Sequence, residues 1–348
     1  MGDTKLHRTS ADVWGTCTFH EPSARSPNRA ETVRAHNWVV LGDLVPGQPW
    51  TYLPQAARLY WRQSQVPLGE AFQTKPALAV EMVRVAASES AVAVLAICDG
   101  AYALESVRTP CLQPAPGQRR IEILARLRTD ARLYQPVCAP PPGPGRPRKW
   151  GPRLAAPQHH WQWGVPWGQS QAWIYGRRRS FHYRQLRCHW AVSGPQIPVP
   201  VFVFKVAGYT KPWLIVTTAL DLSAAQVVEA YAARFRQEEA FRDHKQRLGM
   251  EGCRAWTKEP ILRTFQVQMV ALTMLRVVQG RLAQAWPAGR WWQRPPWNPR
   301  KTRAAILDLR RLFWRHRTAF SQFLGELEEL EKPAHTLTPC GKPLPLAA

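Results

Sequence analysis

Residues Ala91–Gly100 read AVAVLAICDG, and this stretch decides the class of fold. Ala91 to Cys98 is apolar without interruption. A run of that length is the pattern of a strand buried on both faces, as in a parallel or mixed sheet. Asp99 follows directly and so sits at the sheet's carboxyl edge, where open α/β sheets collect their ligands. A D-G turn that merely closes a strand has the same sequence, so the surroundings must decide.

Outward from this strand the pattern alternates between strand and helix. Upstream, Thr74 is a candidate N-cap with Pro76 in the first turn of a helix that runs to about Ala87. Residues 53–65 read as another helix, and residues 10–46 as two strands and a turn, Val13–His20 and Asn37–Leu41. Downstream, WLIVT at Trp213–Thr217 reads as a second buried strand. Ser223 and Gln226 then form an S-x-x-Q capping box, and Gly249 stands where a C′ glycine belongs, with neither proline nor glycine between them. One continuous helix is expected there. A further buried helix is expected from near Pro260 to about Ala285, a Trp-, Pro- and Arg-rich loop over 287–301, and amphipathic helix over 302–331, with a frayed tail from Lys332.

Residues 112–200 differ in composition. A proline-glycine block at 139–147, a flexible linker by composition, overlaps the basic GRPRK of 145–149. Beyond it Trp161, Trp163, Trp167, Trp173 and Trp190 are interleaved with Arg177, Arg178, Arg179, Arg184 and Arg187. Helical periodicity is absent, and the segment reads as a β-rich insertion with a basic, aromatic surface.

The chain has 348 residues, with 47 Lys and Arg against 24 Asp and Glu, a formal net charge of +23. An excess that large repels itself unless a polyanion neutralises it, which makes nucleic acid the first partner to consider. Genome composition that favours Arg codons would produce the same count. The seven cysteines, at 17, 98, 111, 138, 188, 253 and 340, contain no C-x-x-C pair. That spacing speaks against zinc and for reduced thiols in a cytosol. No signal peptide and no unbroken apolar run of about 18 residues is present, so no membrane partner is expected.

The acidic residue that could complete a site lies in the helix after Ser223. Tyr231, Arg234, Glu238 and Lys245 fall within one stripe of about 60° on a continuous helix, spread over about 21 Å. A carboxylate flanked by cations and a phenol suits a phosphodiester with a bound metal: the acid takes the metal, the cations take phosphates, the ring packs on sugar or base. A solvated helix face with an ordinary Arg234–Glu238 ion pair has the same periodicity.

The run YAARFRQEEAFRDHK, Tyr231–Lys245, resembles the Y-R-E-K signature, Y-x2-R-x3-E-x6-K, of cut-and-paste bacterial insertion-sequence transposases of the DDE type. The flanks TTALDLSAAQVVEAY and KQRLGMEGCRAWTKEP resemble that family too. The resemblance implies an α/β fold: an RNase H-like mixed sheet flanked by helices, interrupted by a β-rich insertion, with a helical C-terminal extension. It implies core over 1–111 and 201–286, insertion over 112–200 and extension over 287–348. It makes Asp3, Asp99 and Glu238 the catalytic, metal-holding triad, with Asp99 in a D-x-x-Y-like setting before Tyr102 and Asp3 in a D-T element. It makes Tyr231, Arg234 and Lys245 contacts to DNA. Two Mg²⁺ ions, replaceable by Mn²⁺, would activate water and clamp the leaving oxygen in end cleavage, and the freed 3′-hydroxyl would then attack target DNA. The implied partners are double-stranded transposon ends and target DNA and a second copy in a homodimer, in a bacterial cytoplasm at the nucleoid. Related enzymes hold a flipped base in an aromatic pocket of the insertion; no single Trp here is matched by motif.

The family also has a half-strand leading into its first aspartate and a DNA-binding region ahead of it. With Asp3 two residues from Met1, the expectation is an N-terminally truncated frame, inactive alone. The rivals are a catalytically dead, DNA-binding transposase remnant and an unrelated basic protein whose charge reflects genome composition. The first keeps DNA binding without cleavage, and the second shows no steep salt dependence of binding.

Overall fold

The computed structural model describes residues 1–21, 32–47, 49–136, 149–194, 198–286, 291–299, 301, 303–319 and 321. The proline-glycine block of 139–147, Cys138, Cys340 and the expected helix beyond 321 lie outside the described residues. The chain divides into two units, Met1–Met274 and Leu275–Ala348.

The first unit opens with β1 (Gly2–His7), β2 (Cys17–His20), β3 (Thr32–Val45) and β4 (Thr51–Tyr60). Then come α1 (Lys75–Glu89), β5 (Val94–Cys98), α2 (Glu105–Leu112), β6 (Ile121–Arg126) and β7 (Leu133–Tyr134). A hairpin follows, β8 (Gly168–Ile174) and β9 (Arg177–Trp190), then β10 (Pro198–Val206) and β11 (Trp213–Thr217). Helices α3 (Ala224–Ala233), α4 (Phe235–Arg247) and α5 (Lys258–Ala285) come next, and α6 (Ile306–Arg315) lies in the second unit.

β1, β2 and β4 all pair antiparallel with β3, the longest strand of the first sheet. The second sheet has seven strands in the order β5-β6-β11-β10-β9-β7, with β8 on β9. β5 and β6 are parallel and the remaining pairs antiparallel. This mixed sheet with flanking helices and a helical C-terminal region is the α/β architecture anticipated, consistent with an RNase H-like fold. β6, which lies inside the segment anticipated as insertion, runs beside β5.

Alternation along the strands explains the layers. In β3, Ala35 to Leu41 is buried throughout. Val39 and Leu41 face a core shared with Leu78, Met82 and Val83 of α1, while Trp38 and Val40 face Ile261, Phe265 and Met269 of α5. Trp38 and Phe265 stack at 3.9 Å. In β10, Val199, Val201 and Val203 face the α1 side, and Phe202 and Phe204 face Val227 and Val228 of α3. Residues of both sheets share the α1-side core, and the Met1 amino group donates to the Ile97 carbonyl at 2.7 Å, which joins β1 to the end of β5.

Three expectations are corrected. Residues 53–65 are not a helix: β4 pairs with β3 from Thr51 to Tyr60, followed by a short 3₁₀ turn at Gln63–Gln65. Pairing along β3 overrides local preference there, and Pro54 is accommodated beside the bulge at Leu41/Gly42, where the ladder is interrupted. The helix after Ser223 has its capping box and its left-handed Gly249 at φ 71°, but it breaks into α3 and α4 at Arg234. Around the break the Arg234 and Gln237 amides bond three residues back, to Tyr231 and Arg234, so the turn tightens. Finally, α5 is not buried all round. Ile261, Phe265, Met269 and Leu272 are buried, whereas Val267, Val270 and Met274 are exposed. By length and composition α5 could cross a membrane, yet three of those four buried residues, Ile261, Phe265 and Met269, sit in the core beneath β3.

In the second unit, Asp308 caps α6 by accepting from the Ala305 amide at 2.6 Å and pairs with Lys301 at 2.5 Å. Trp291 and Trp292 are buried there.

Two outcomes follow from this core. Phe202→Ala removes a fully buried ring stacked 5.4 Å from Phe204, and should cost about 3–5 kcal/mol in denaturant unfolding. His36 of β3 is buried, one ring nitrogen 2.8 Å from the Trp14 carbonyl oxygen, and burial lowers its pKa to about 4. A folded pKa below the unfolded value of 6.5 means full stability above pH 6.5 and loss as pH falls toward 4. Of the acid destabilisation between pH 7 and 5, His36→Gln should remove about 2 kcal/mol, read from unfolding curves at the two pH values.

Candidate active site

Asp3 lies on β1 opposite Val39 and is partly exposed. Its Oδ2 accepts from Lys75 Nζ at 2.5 Å and its Oδ1 from the Tyr102 hydroxyl at 3.3 Å. Lys75 is the first residue of α1, and its ammonium also lies 5.2 Å from the centre of the Tyr60 ring. Tyr102 closes the short 3₁₀ turn Gly100–Tyr102 that begins directly after Asp99. Burial, and then the neighbouring Asp3, push its hydroxyl pKa up, so it stays a donor.

Asp99 follows β5 and caps that turn, its Oδ1 accepting from the Gly100 amide at 2.7 Å. Cys98 before it is fully buried, and burial pushes its thiol up to about 12. It is packing, not a nucleophile.

Glu238 is in the first turn of α4, where Arg234 Nη2 donates to its Oε1 at 2.7 Å. Burial opposes the Arg234 charge, but Tyr231, Glu238 and Asp99 outweigh it and raise its pKa. Arg234 lies over the Tyr231 ring at 5.8 Å. Burial raises the Tyr231 hydroxyl pKa, against the nearby cations Arg234 and Arg126. Tyr231, Arg234 and Glu238 thus form one group, with Asp99 in electrostatic reach, and Tyr102 links Asp99 to Asp3. Lys245 is not in that group. It is at the far end of α4, where burial lowers its pKa and Glu251, Glu21 and Lys5 are its charged neighbours.

Sequence reasoning missed what holds α4 against the first sheet. Gln237, beside Glu238, is buried, and its Nε2 donates to the Val40 carbonyl and the Tyr52 hydroxyl, both at 3.0 Å. It is also pressed against β1: a Cβ at Gly2 would meet Gln237 Oε1 at 2.6 Å. The residue before Asp3 and the residue before Glu238 therefore touch, which fixes α4 against β1. A glutamine next to a glutamate carries no sequence signal of this. Lys75 is missed for the same reason, whereas Arg126, at the carboxyl end of β6, stands where an edge rule could have found it.

The donor set suits a hard divalent cation: carboxylate oxygens from three elements, two of them already bearing a cation in contact, Lys75 on Asp3 and Arg234 on Glu238. Among the described residues no three His, Cys, Asp or Glu side chains are gathered closely enough to hold an ion.

Basic and aromatic side chains alternate on the neighbouring strands. The Arg184 guanidinium and the Lys205 ammonium both lie over the Trp167 ring, 4.7 and 4.5 Å from its centre. A chain of rings runs from Tyr231 to Trp213 at 6.2 Å, and from Trp213 to Tyr209 at 5.3 Å and Tyr175 at 5.8 Å. Tyr175 sits at the tip of the β8–β9 hairpin with φ 52°, followed by Gly176 at 77°, a two-residue turn with both residues left-handed.

Gln237→Ala leaves the Val40 carbonyl and the Tyr52 hydroxyl without their donor, and should lower unfolding free energy by about 1–3 kcal/mol in a denaturant titration.

Residues 30–181 match the family model of a DDE superfamily endonuclease. The matched segment contains Asp99, Tyr102 and Lys75 but neither Asp3 nor Glu238. No curated protein matches the chain. The family match supports a DDE-type nuclease or transposase acting on DNA.

Proposed function

We propose that this chain is the catalytic region of a DDE transposase that cuts DNA at transposon ends and joins the freed 3′-hydroxyl to target DNA. The observation that carries the reading is the grouping of Glu238, Arg234 and Tyr231 with Asp99, and of Asp99 with Asp3 through Tyr102, in a chain that matches a DDE endonuclease model.

In this reading Asp3, Asp99 and Glu238 hold Mg²⁺, with Mn²⁺ as a substitute. The bound cation supplies an activated water and charge relief at the leaving oxygen. The protein's own residues do the rest. Arg234, held by Glu238 and Tyr231, offers its remaining N–H donors to a phosphate beside the scissile bond. Tyr231 presents its ring to the sugar or base. Lys245, farther along α4, contacts a phosphate away from the reacting one. The stacked cations and rings around Trp167 and Tyr175 extend the path of the DNA. Two copies acting on paired ends complete the proposed assembly.

A second reading, a DNA-binding transposase remnant without catalysis, is favoured by one observation: no three acids gather among the described residues. A nicking assay on the element's terminal repeats in Mg²⁺ separates the two. Under the first reading Asp99→Asn and Glu238→Gln each lower cleavage by roughly 10³-fold or more, the double variant is no worse than either alone, and DNA affinity persists. Wild-type protein that binds the repeats, with a steep fall in affinity as salt rises, but never cleaves them would establish the second.

A further inference from the structure

The geometry points to Lys75 as the residue that sets how readily Asp3 gives itself to a divalent cation. This rests on the reading of Asp3, Asp99 and Glu238 as cation ligands, and it deepens that reading.

Lys75 is in an electrostatically poor place for its own helix. It is the first residue of α1, and no acid stands in that helix's first turn. The amino end of a helix carries partial positive charge, so a cation is disfavoured there and an anion favoured. α1 has all the capping it needs from Thr74, whose side chain accepts from the Ala77 amide, with Pro76 in the first turn. The helix therefore gains nothing from a lysine at this position. What Lys75 does reach is Asp3: Nζ is 2.5 Å from Oδ2, and the ammonium also faces the Tyr60 ring.

The same carboxylate is held from its other side. The Tyr102 hydroxyl donates to Oδ1, and Tyr102 belongs to the turn that Asp99 caps. Asp3 is thus fixed by one donor from α1 and one from the Asp99 turn. Both its side chain and that of Lys75 are about a quarter exposed, 27% each, so the pair can open without disturbing the core. A divalent cation that binds Asp3 through Oδ2 meets the ammonium already in contact with that oxygen. The two cations compete for it, and Lys75, once displaced, is left as a free ammonium beside the site, where a DNA phosphate is the available anion. Tyr102 bonds the other oxygen and need not move.

Lys75 is therefore a positioning residue: it keeps Asp3 oriented and sets the threshold at which the carboxylate accepts a metal. The test is calorimetric titration of Mn²⁺ into the full 348-residue chain and its variants without DNA, with no activity readout. Lys75→Met and Lys75→Gln should each bind Mn²⁺ roughly twofold to fivefold more tightly than wild type, the range expected for losing a partly exposed ion-pair competitor. Lys75→Arg, which keeps the charge, should stay near wild type. A gain in affinity cannot come from a misfolded variant, and melting curves recorded beside the titrations check folding independently. Unchanged or weaker Mn²⁺ binding in Lys75→Met and Lys75→Gln, with binding still abolished by Asp3→Asn, would overturn the role of Lys75 and leave the triad intact. Absence of Mn²⁺ uptake by wild type and all variants would sink the triad itself, and the role of Lys75 with it.

Discussion

A single buried amide pins α4, the helix that carries Glu238, against the first sheet. Gln237 spends its donors on the Val40 carbonyl and the Tyr52 hydroxyl, and its oxygen lies where a side chain on Gly2 would have to go. A buried polar group without partners is costly, so this side chain has essentially one satisfied arrangement. α4 is thereby pinned against β3, β4 and β1 at the residue next to Glu238. The break at Arg234 belongs to the same constraint. It lets α3 follow the seven-stranded sheet, where Val227 and Val228 meet Phe202, while α4 turns toward the strands that carry Asp3.

Charge near the site is organised differently from charge elsewhere. The chain has a large basic excess, yet Asp3 and Glu238 each have a cation in direct contact, and Asp99 has a backbone amide. Carboxylates brought near one another repel unless cations intervene. Asp3 and Glu238 each have their own cation, Lys75 from α1 and Arg234 from the α3–α4 junction. On β9 and β10, Arg179, Arg184 and Lys205 lie against the rings of Tyr209 and Trp167, a pairing of cation and ring suited to phosphate and base.

How much of this is legible in the residues varies by position. The strand ending at Asp99 is legible, because a continuous apolar run has few other uses. So are the capping box at Ser223 and the left-handed Gly249, since both are local backbone devices. β4 is not: its ten residues become a strand because β3 offers a partner, and that information is long-range. The exposure of Val267 and Val270 is hidden for the converse reason, since an apolar residue looks the same whether or not anything covers it. Tyr231, Arg234 and Glu238 are recognisable as a pattern, but their grouping passes through a broken helix that the pattern does not contain. Lys75 and Gln237 are invisible, being common residues whose meaning lies wholly in what they touch.

β4 also bears on how the molecule behaves in a crowded solution. It is the outer strand of its sheet and ten residues long, and an edge of that length is a template for recruiting further chains into a growing ribbon. Two features blunt it. Pro54 has no N–H to offer an incoming strand, and its carbonyl is already taken by the Thr273 hydroxyl. The bulge opposite Leu41 and Gly42 breaks the regular spacing that a docking strand would need. A residue that looks like a defect within the strand thus makes this edge a poorer template for an incoming strand.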